Sequence, residues 1–101
     1  MTYLYILYSE NYNKYYVGIS QTPFERLVDH NTQEKISFTK KYRPWKIAAL
    51  FEVGEDWAEG LKIERFIKKQ KSRKLLEKLV DPEFKPEGKF AHLVRVPHVR
   101  D

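Results

Sequence analysis

Two strand-forming runs held apart by a short polar stretch constrain this chain more than any other feature. Tyr3 to Tyr8 reads YLYILY, Ser9 to Lys14 reads SENYNK, and YYVGIS follows from Tyr15 to Ser20. Aromatic and β-branched residues flanking a turn-forming segment predict an antiparallel hairpin. Gly18 is out of character there, because glycine weakens a strand unless a bulge, a ligand or another backbone comes close. Register matters too. Tyr5 and Tyr16 share a sheet face only if paired residue numbers sum to an odd value, which requires an even-length loop such as Asn11 to Lys14, or a bulge.

Downstream, TPFERLVDHN carries the signals of a helix start: Thr22 as cap, Pro23 in the first turn and Glu25 three residues after Thr22 to complete a capping box. Phe24, Leu27 and Val28 are its expected buried stripe, and Asn31 its expected terminal cap. Thr32 to Pro44 is polar and basic and reads as a loop. WKIAALFEV, Trp45 to Val53, reads as a third strand ended by Gly54. Asp56 then caps a helix from Trp57 to about Lys69. Ser72 to Val80 is a second amphipathic segment, with Leu75, Leu76, Leu79 and Val80 on one face, stopped at Asp81-Pro82. The order is ββαβαα, an α+β arrangement. Residues 81–101 are either disordered or add an edge strand across Phe90 to Val96.

With 101 residues the chain is long enough for one domain with a small core. Nineteen Lys and Arg against fourteen Asp and Glu give +5, which favours a polyanionic partner. There is no cysteine, hence no disulfide framework and no thiolate metal site. No apolar run approaches a membrane span, and the head of the chain lacks the pattern of a secretory leader, so a cytoplasmic location without membrane contact is expected.

Glu64 conflicts with its surroundings, since Gly60, Leu61, Ile67 and Lys68 place it against the apolar stripe of its helix. Its partner is either Lys68, one turn on, or a divalent cation. Arg26 and His30 lie four apart and share a helix face. They read either as a solvated charge and a cation favoured at a helix C-terminus, or as a phosphate-neutralising guanidinium and a proton relay. A tyrosine acting as a base needs a neighbouring cation or proton acceptor, because a phenol titrates near 10. Lys40, Lys41 and Arg43 in KKYR, and Lys68 and Lys69 in KKQKSRK, are either solvated faces or a track for a phosphate backbone, with Tyr42 or Trp45 available for stacking.

Together these residues form a pattern that resembles the GIY-YIG endonuclease domain, in particular its small stand-alone bacterial members. The likeness runs from about Thr2 to Val80. YLY (Tyr3 to Tyr5) stands at the first motif and YVG (Tyr16 to Gly18) at the second. ERLVDHN supplies the helix arginine and histidine, IERFIKK the metal-holding glutamate, and TKKYRPWKI the lead-in to the third strand. Tyr3 replaces the first motif's glycine and Leu4 its isoleucine.

The resemblance implies a three-stranded antiparallel sheet flanked by helices over residues 1–80, with 81–101 as a tail. It implies a metal-dependent endonuclease cutting DNA with low sequence selectivity or by structure, in repair or recombination. In that role Tyr5 is the base, assisted by His30; Tyr16 orients water or a phosphate oxygen; Arg26 neutralises phosphoryl charge; and Glu64 holds magnesium or manganese. Gly18 leaves the sheet open for the scissile phosphate, while Lys40, Lys41, Arg43, Lys68 and Lys69 grip the strand. A homodimer or a partner protein would supply specificity. The alternative is a catalytically inactive nucleic-acid-binding module of the same fold.

Overall fold

The computed structural model describes residues 1–34 and 37–97. The hairpin forms as expected: β1 (Thr2–Ser9) pairs antiparallel with β2 (Lys14–Ser20). The loop between them is the four residues 10–13, so Tyr5 faces Gly18 and Leu7 faces Tyr16. The even-length loop therefore puts Tyr5 and Tyr16 on one face without a bulge. β3 (Lys46–Gly54) pairs antiparallel with the other side of β1. To the three main strands β4 (Val94–Arg95) adds a two-residue antiparallel edge beside β3, inside the Phe90 to Val96 stretch where an edge strand is one of the two expectations, giving the order β2-β1-β3-β4. β2 is thus an edge strand.

The two faces of the sheet bury different residues. On one, Leu4, Ile6, Val17, Phe51 and Ile67 pack with Leu79, Val80 and Leu93. On the other, Tyr5, Leu7, Trp45, Ile47 and Leu50 cluster with Tyr16 and Leu27. Ile47 and Leu50 are three apart and share a face only because β3 is bulged: Ile6 pairs with Ala49 and Leu7 with Ile47, leaving Ala48 as the extra residue. Without that residue the alternation would put one of them on the wrong side.

α1 (Pro23–Thr32) departs from the expected pattern. Phe24 and Val28 are 56% and 58% exposed, and the inward residues are Pro23, Leu27 and His30, spaced i, i+4, i+7. The capping box does not form either. The Thr22 hydroxyl sits beside Ser20 Oγ, which accepts the Thr22 N–H at 2.9 Å, and Pro23 has no N–H to satisfy. Asn31 is not the cap, because the helix continues to Thr32. Its side chain instead clamps Trp45, accepting from the backbone N–H at 2.7 Å and donating to the carbonyl at 3.0 Å. Within the expected loop, Ser37–Lys41 forms a short helix, α2.

α3 (Trp57–Gln70) begins at Asp56, whose carboxylate accepts from the Ala58 N–H at 2.9 Å. Gly60 lets this helix lie close on the sheet, since a Cβ there would meet the Thr2 methyl at 2.9 Å. α4 (Arg73–Val80) is capped by Ser72, which accepts from Leu75 N–H. The segment after Pro82 passes through a 3₁₀ turn at Gly88–Phe90 and buries Leu93 in the core. Arg95 then donates to the carbonyls of Leu79, Val80 and Asp81 at 3.1 Å each, fastening β4 to the end of α4.

Candidate active site

Tyr5 lies across Gly18, its partner on the edge strand. A Cβ at Gly18 would stand 2.3 Å from the Tyr5 hydroxyl oxygen and 2.4 Å from Cζ, so no side chain fits there while the phenol holds this position. The gap in β2 is thus filled by Tyr5 itself, which corrects the expectation that Gly18 leaves an opening for a phosphate. An aromatic side chain covering a glycine on an edge strand also restores the packing that the glycine forfeits. The consequence is directional: the Tyr5 hydroxyl is carried over the strand to His30 Nε2, at 2.9 Å.

His30 is fully buried, and its other ring nitrogen, Nδ1, lies 3.0 Å from the Thr39 hydroxyl. α1 therefore presents the imidazole and α2 holds its far end. Burial, reinforced by the Arg26 guanidinium, lowers the His30 pKa to about 4. A neutral imidazole at physiological pH overturns the reading of His30 as a helix-terminal cation. Burial has the opposite effect on Tyr5, pushing its phenol well above the ordinary range, with Tyr16 adding to the rise and Arg26 opposing it. The two groups are driven apart and both rest uncharged.

Tyr16, on the same face as Tyr5, stacks obliquely on His30 with ring centroids 4.8 Å apart. Ile67 anchors α3 in the opposite core cluster, and the next residue, Lys68, reaches Tyr16 with its Nζ 5.2 Å from the ring centre. That ammonium is also 3.6 Å from the Glu64 carboxylate, which is 16% exposed. The i, i+4 pair expected from the sequence is present. The Glu64 charge nevertheless adds to the rise of the Tyr5 pKa, and Lys68 to the fall of His30. Arg26 is partly exposed, 3.5 Å from Asp29. Tyr5 is the hub of these groups: it contacts His30, and the charges of Tyr16, Arg26 and Glu64 all act on it, while Tyr16 also stacks on His30.

The basic residues separate into kinds. Lys40 pairs with Glu34, and Lys41 lies 5.5 Å from the Tyr42 ring centre. Arg43 donates through Nε to the His30 carbonyl at 2.7 Å and through its terminal nitrogen to the Gln33 carbonyl. Its guanidinium closes the end of α1, as cations near helix C-termini do. Lys69 is exposed in the last turn of α3. Asn31 reads in the sequence only as a helix cap, and Thr39 has no expected role at all. A threonine inside a basic stretch carries no signal until α2 folds it against His30.

Among the described residues no group of three or more His, Cys, Asp or Glu gathers as a metal cluster. Glu64 offers a single carboxylate, paired here with the Lys68 ammonium. One carboxylate is within what magnesium or manganese takes from a protein, the rest of the shell coming from water and substrate phosphate, provided Lys68 yields it.

The family model of the GIY-YIG catalytic domain matches residues 1–78. No curated protein and no solved structure gives a significant match.

Proposed function

Because the chain belongs to the GIY-YIG family, a family of nuclease domains acting on nucleic acid, we propose that it is a metal-dependent endonuclease. It hydrolyses DNA phosphodiester bonds with low sequence selectivity or by structure, in repair or recombination. The observation that carries this reading is the 2.9 Å contact between the Tyr5 hydroxyl and a buried, neutral His30, set beside Arg26, Tyr16 and Glu64.

Tyr5 with its raised pKa and His30 with its lowered one cannot ionise each other at rest. A concerted relay avoids that difficulty. As the attacking water forms its bond to phosphorus, its proton passes to the Tyr5 oxygen while the Tyr5 proton passes to His30 Nε2, so the phenol is never left as a free phenolate. In the tautomer the relay needs, Nδ1–H donates to the Thr39 hydroxyl, which can accept it at 3.0 Å. Tyr16 orients the water or a phosphate oxygen. Arg26 neutralises charge growing on the phosphoryl oxygens, bidentate geometry being its advantage over lysine. Glu64 would hold magnesium or manganese, which when bound supplies Lewis-acid stabilisation of the leaving oxygen. The P–O bond breaks and the departing oxygen takes a proton from solvent; His30 returns its proton to the Tyr5 oxygen as that oxygen releases the proton taken from water to solvent.

Lys41 and Lys69 extend positive charge outward, so grip is electrostatic and tolerant of sequence, with a second copy or a partner protein raising selectivity. The test is cleavage of plasmid, branched and single-stranded DNA by purified protein, in magnesium and in chelator. Cutting that requires magnesium and is lost in Glu64→Ala is expected. Cutting that survives that substitution unchanged, or salt-sensitive binding with no cutting of any substrate, overturns the reading, the latter in favour of an inactive binding module.

A further inference from the structure

Beside Tyr16 and Lys68 a groove of about 380 Å³ opens between β2, α2 and the corner joining α3 to α4. That volume is within the range of about 300–1,000 Å³ typical of small-ligand sites. Ile67 and Leu76 contribute apolar surface, Tyr16 and Phe38 contribute aromatic rings, and Lys68 and Lys71 contribute charge. Among the described residues, no Asp or Glu lines it. Phe38 is 45% exposed, although it also packs against Tyr42 and Trp45 with centroids 5.1 and 6.2 Å away. Its centroid is 6.0 Å from that of Tyr16, within the spacing of rings in direct contact, so no further ring enters between them. The outer surface of Phe38 is left for a planar group. Lys71 stands at the left-handed cap of α3, exposed at the rim.

A planar apolar group attached to an anion, within reach of Tyr16, describes a nucleotide of the chain being cut. In a duplex both faces of a base are covered by its neighbours and its edge by its partner. An unpaired base leaves the stack to lie on an aromatic side chain at much lower cost than a paired one, which must first break its pairing. We propose that this groove is a subsite for an unpaired nucleobase flanking the scissile phosphate, stacked on Phe38 with its phosphate on Lys71. The preferred substrates are then junctions between paired and single-stranded nucleic acid rather than uninterrupted duplex. The inference rests on the hydrolytic reading of the neighbouring centre.

The test is fluorescence anisotropy with the whole protein in chelator, where binding is read without cleavage. Three probes are used: a blunt DNA duplex, the same duplex with a short single-stranded overhang, and that overhang made abasic at the junction nucleotide. The intact overhang is expected to bind about tenfold tighter than the abasic one, the scale of one base stacked on an aromatic ring. Phe38→Ala is expected to bind the two overhangs alike while retaining wild-type affinity for blunt duplex. Lys71→Gln is expected to reduce the salt dependence of overhang binding by about one phosphate. Equal affinity of the wild type for intact and abasic overhangs overturns the proposal, and this comparison depends on no variant folding. Equal proportional loss on blunt and overhang probes in Phe38→Ala also overturns it. A clear overhang preference without magnesium-dependent cutting would sink the hydrolytic reading and leave the subsite; cutting without the preference would do the reverse.

Discussion

At Gly18 a single missing side chain decides where the reactive phenol points. Gly18→Ala is expected to cost about 1–3 kcal/mol by overpacking and to displace Tyr5 from His30, so thermal melting and cleavage fall together. His30 gives a signed pH dependence. Unfolding returns the imidazole from about 4 to its ordinary 6.5, so between those values the unfolded chain binds more protons than the folded one. Stability is then fully present above about 6.5 and is lost as pH falls toward 4, by on the order of 3 kcal/mol. Urea midpoints between pH 7 and pH 4 measure this, and His30→Gln flattens the trend. Thr39 acts through His30. Thr39→Val is expected to slow turnover about tenfold, the scale of one hydrogen bond, to leave DNA affinity unchanged, and to move the acid limb of the pH–rate profile. Tyr5, Tyr16, Arg26, His30 and Glu64 were expected from short motifs in order along the chain. Thr39 was not, since its role exists only through a contact between two helices.

Among the elements, the hairpin was legible as two strands and a turn, but its register was not, since an even-length loop and a bulge both satisfied the sequence and the four-residue loop 10–13 decides it. The bulge at Ala48 was not legible either: in WKIAALFEV two adjacent alanines give no sign of which one falls out of register. Yet the bulge aligns Trp45 and Ile47 with Tyr5, and so shapes the floor beneath the candidate centre. α1 was legible as a helix but misread by about one residue of rotation. Hydrophobicity favours Phe24 and Val28 inside, whereas two hydrogen bonds to His30 make a polar residue the better core member. Beyond Pro82, scattered prolines left disorder and an edge strand across Phe90 to Val96 equally open; buried Leu93, the β4 pairing and Arg95 hold the segment in place. Arg95→Ala removes its bonds to three carbonyls at the end of α4 and is expected to cost about 1.5–3 kcal/mol in chemical denaturation. Cleavage well below the melting temperature stays at the wild-type rate, because β4 lies on the far side of the sheet from β2.

For the whole molecule, a net charge of +5 is modest, and several cations are engaged within the fold: Arg43 and Arg95 on helix carbonyls, Lys40 with Glu34. Substrate affinity in chelator is therefore expected to fall with salt at a slope of only about −3 to −5 on logarithmic axes, equivalent to a few phosphates. No helix among the described residues is long and apolar enough to cross a membrane. The central claim is that one phenol, backed by a buried imidazole, takes the proton from the attacking water. The direct measurement is plasmid cleavage in magnesium by Tyr5→Phe, a substitution that keeps the ring over Gly18 and deletes one oxygen. A loss of at least about 100-fold, measured well below the variant's own melting temperature because His30 loses a buried partner, is the predicted result; cleavage within a few-fold of wild type would contradict the account.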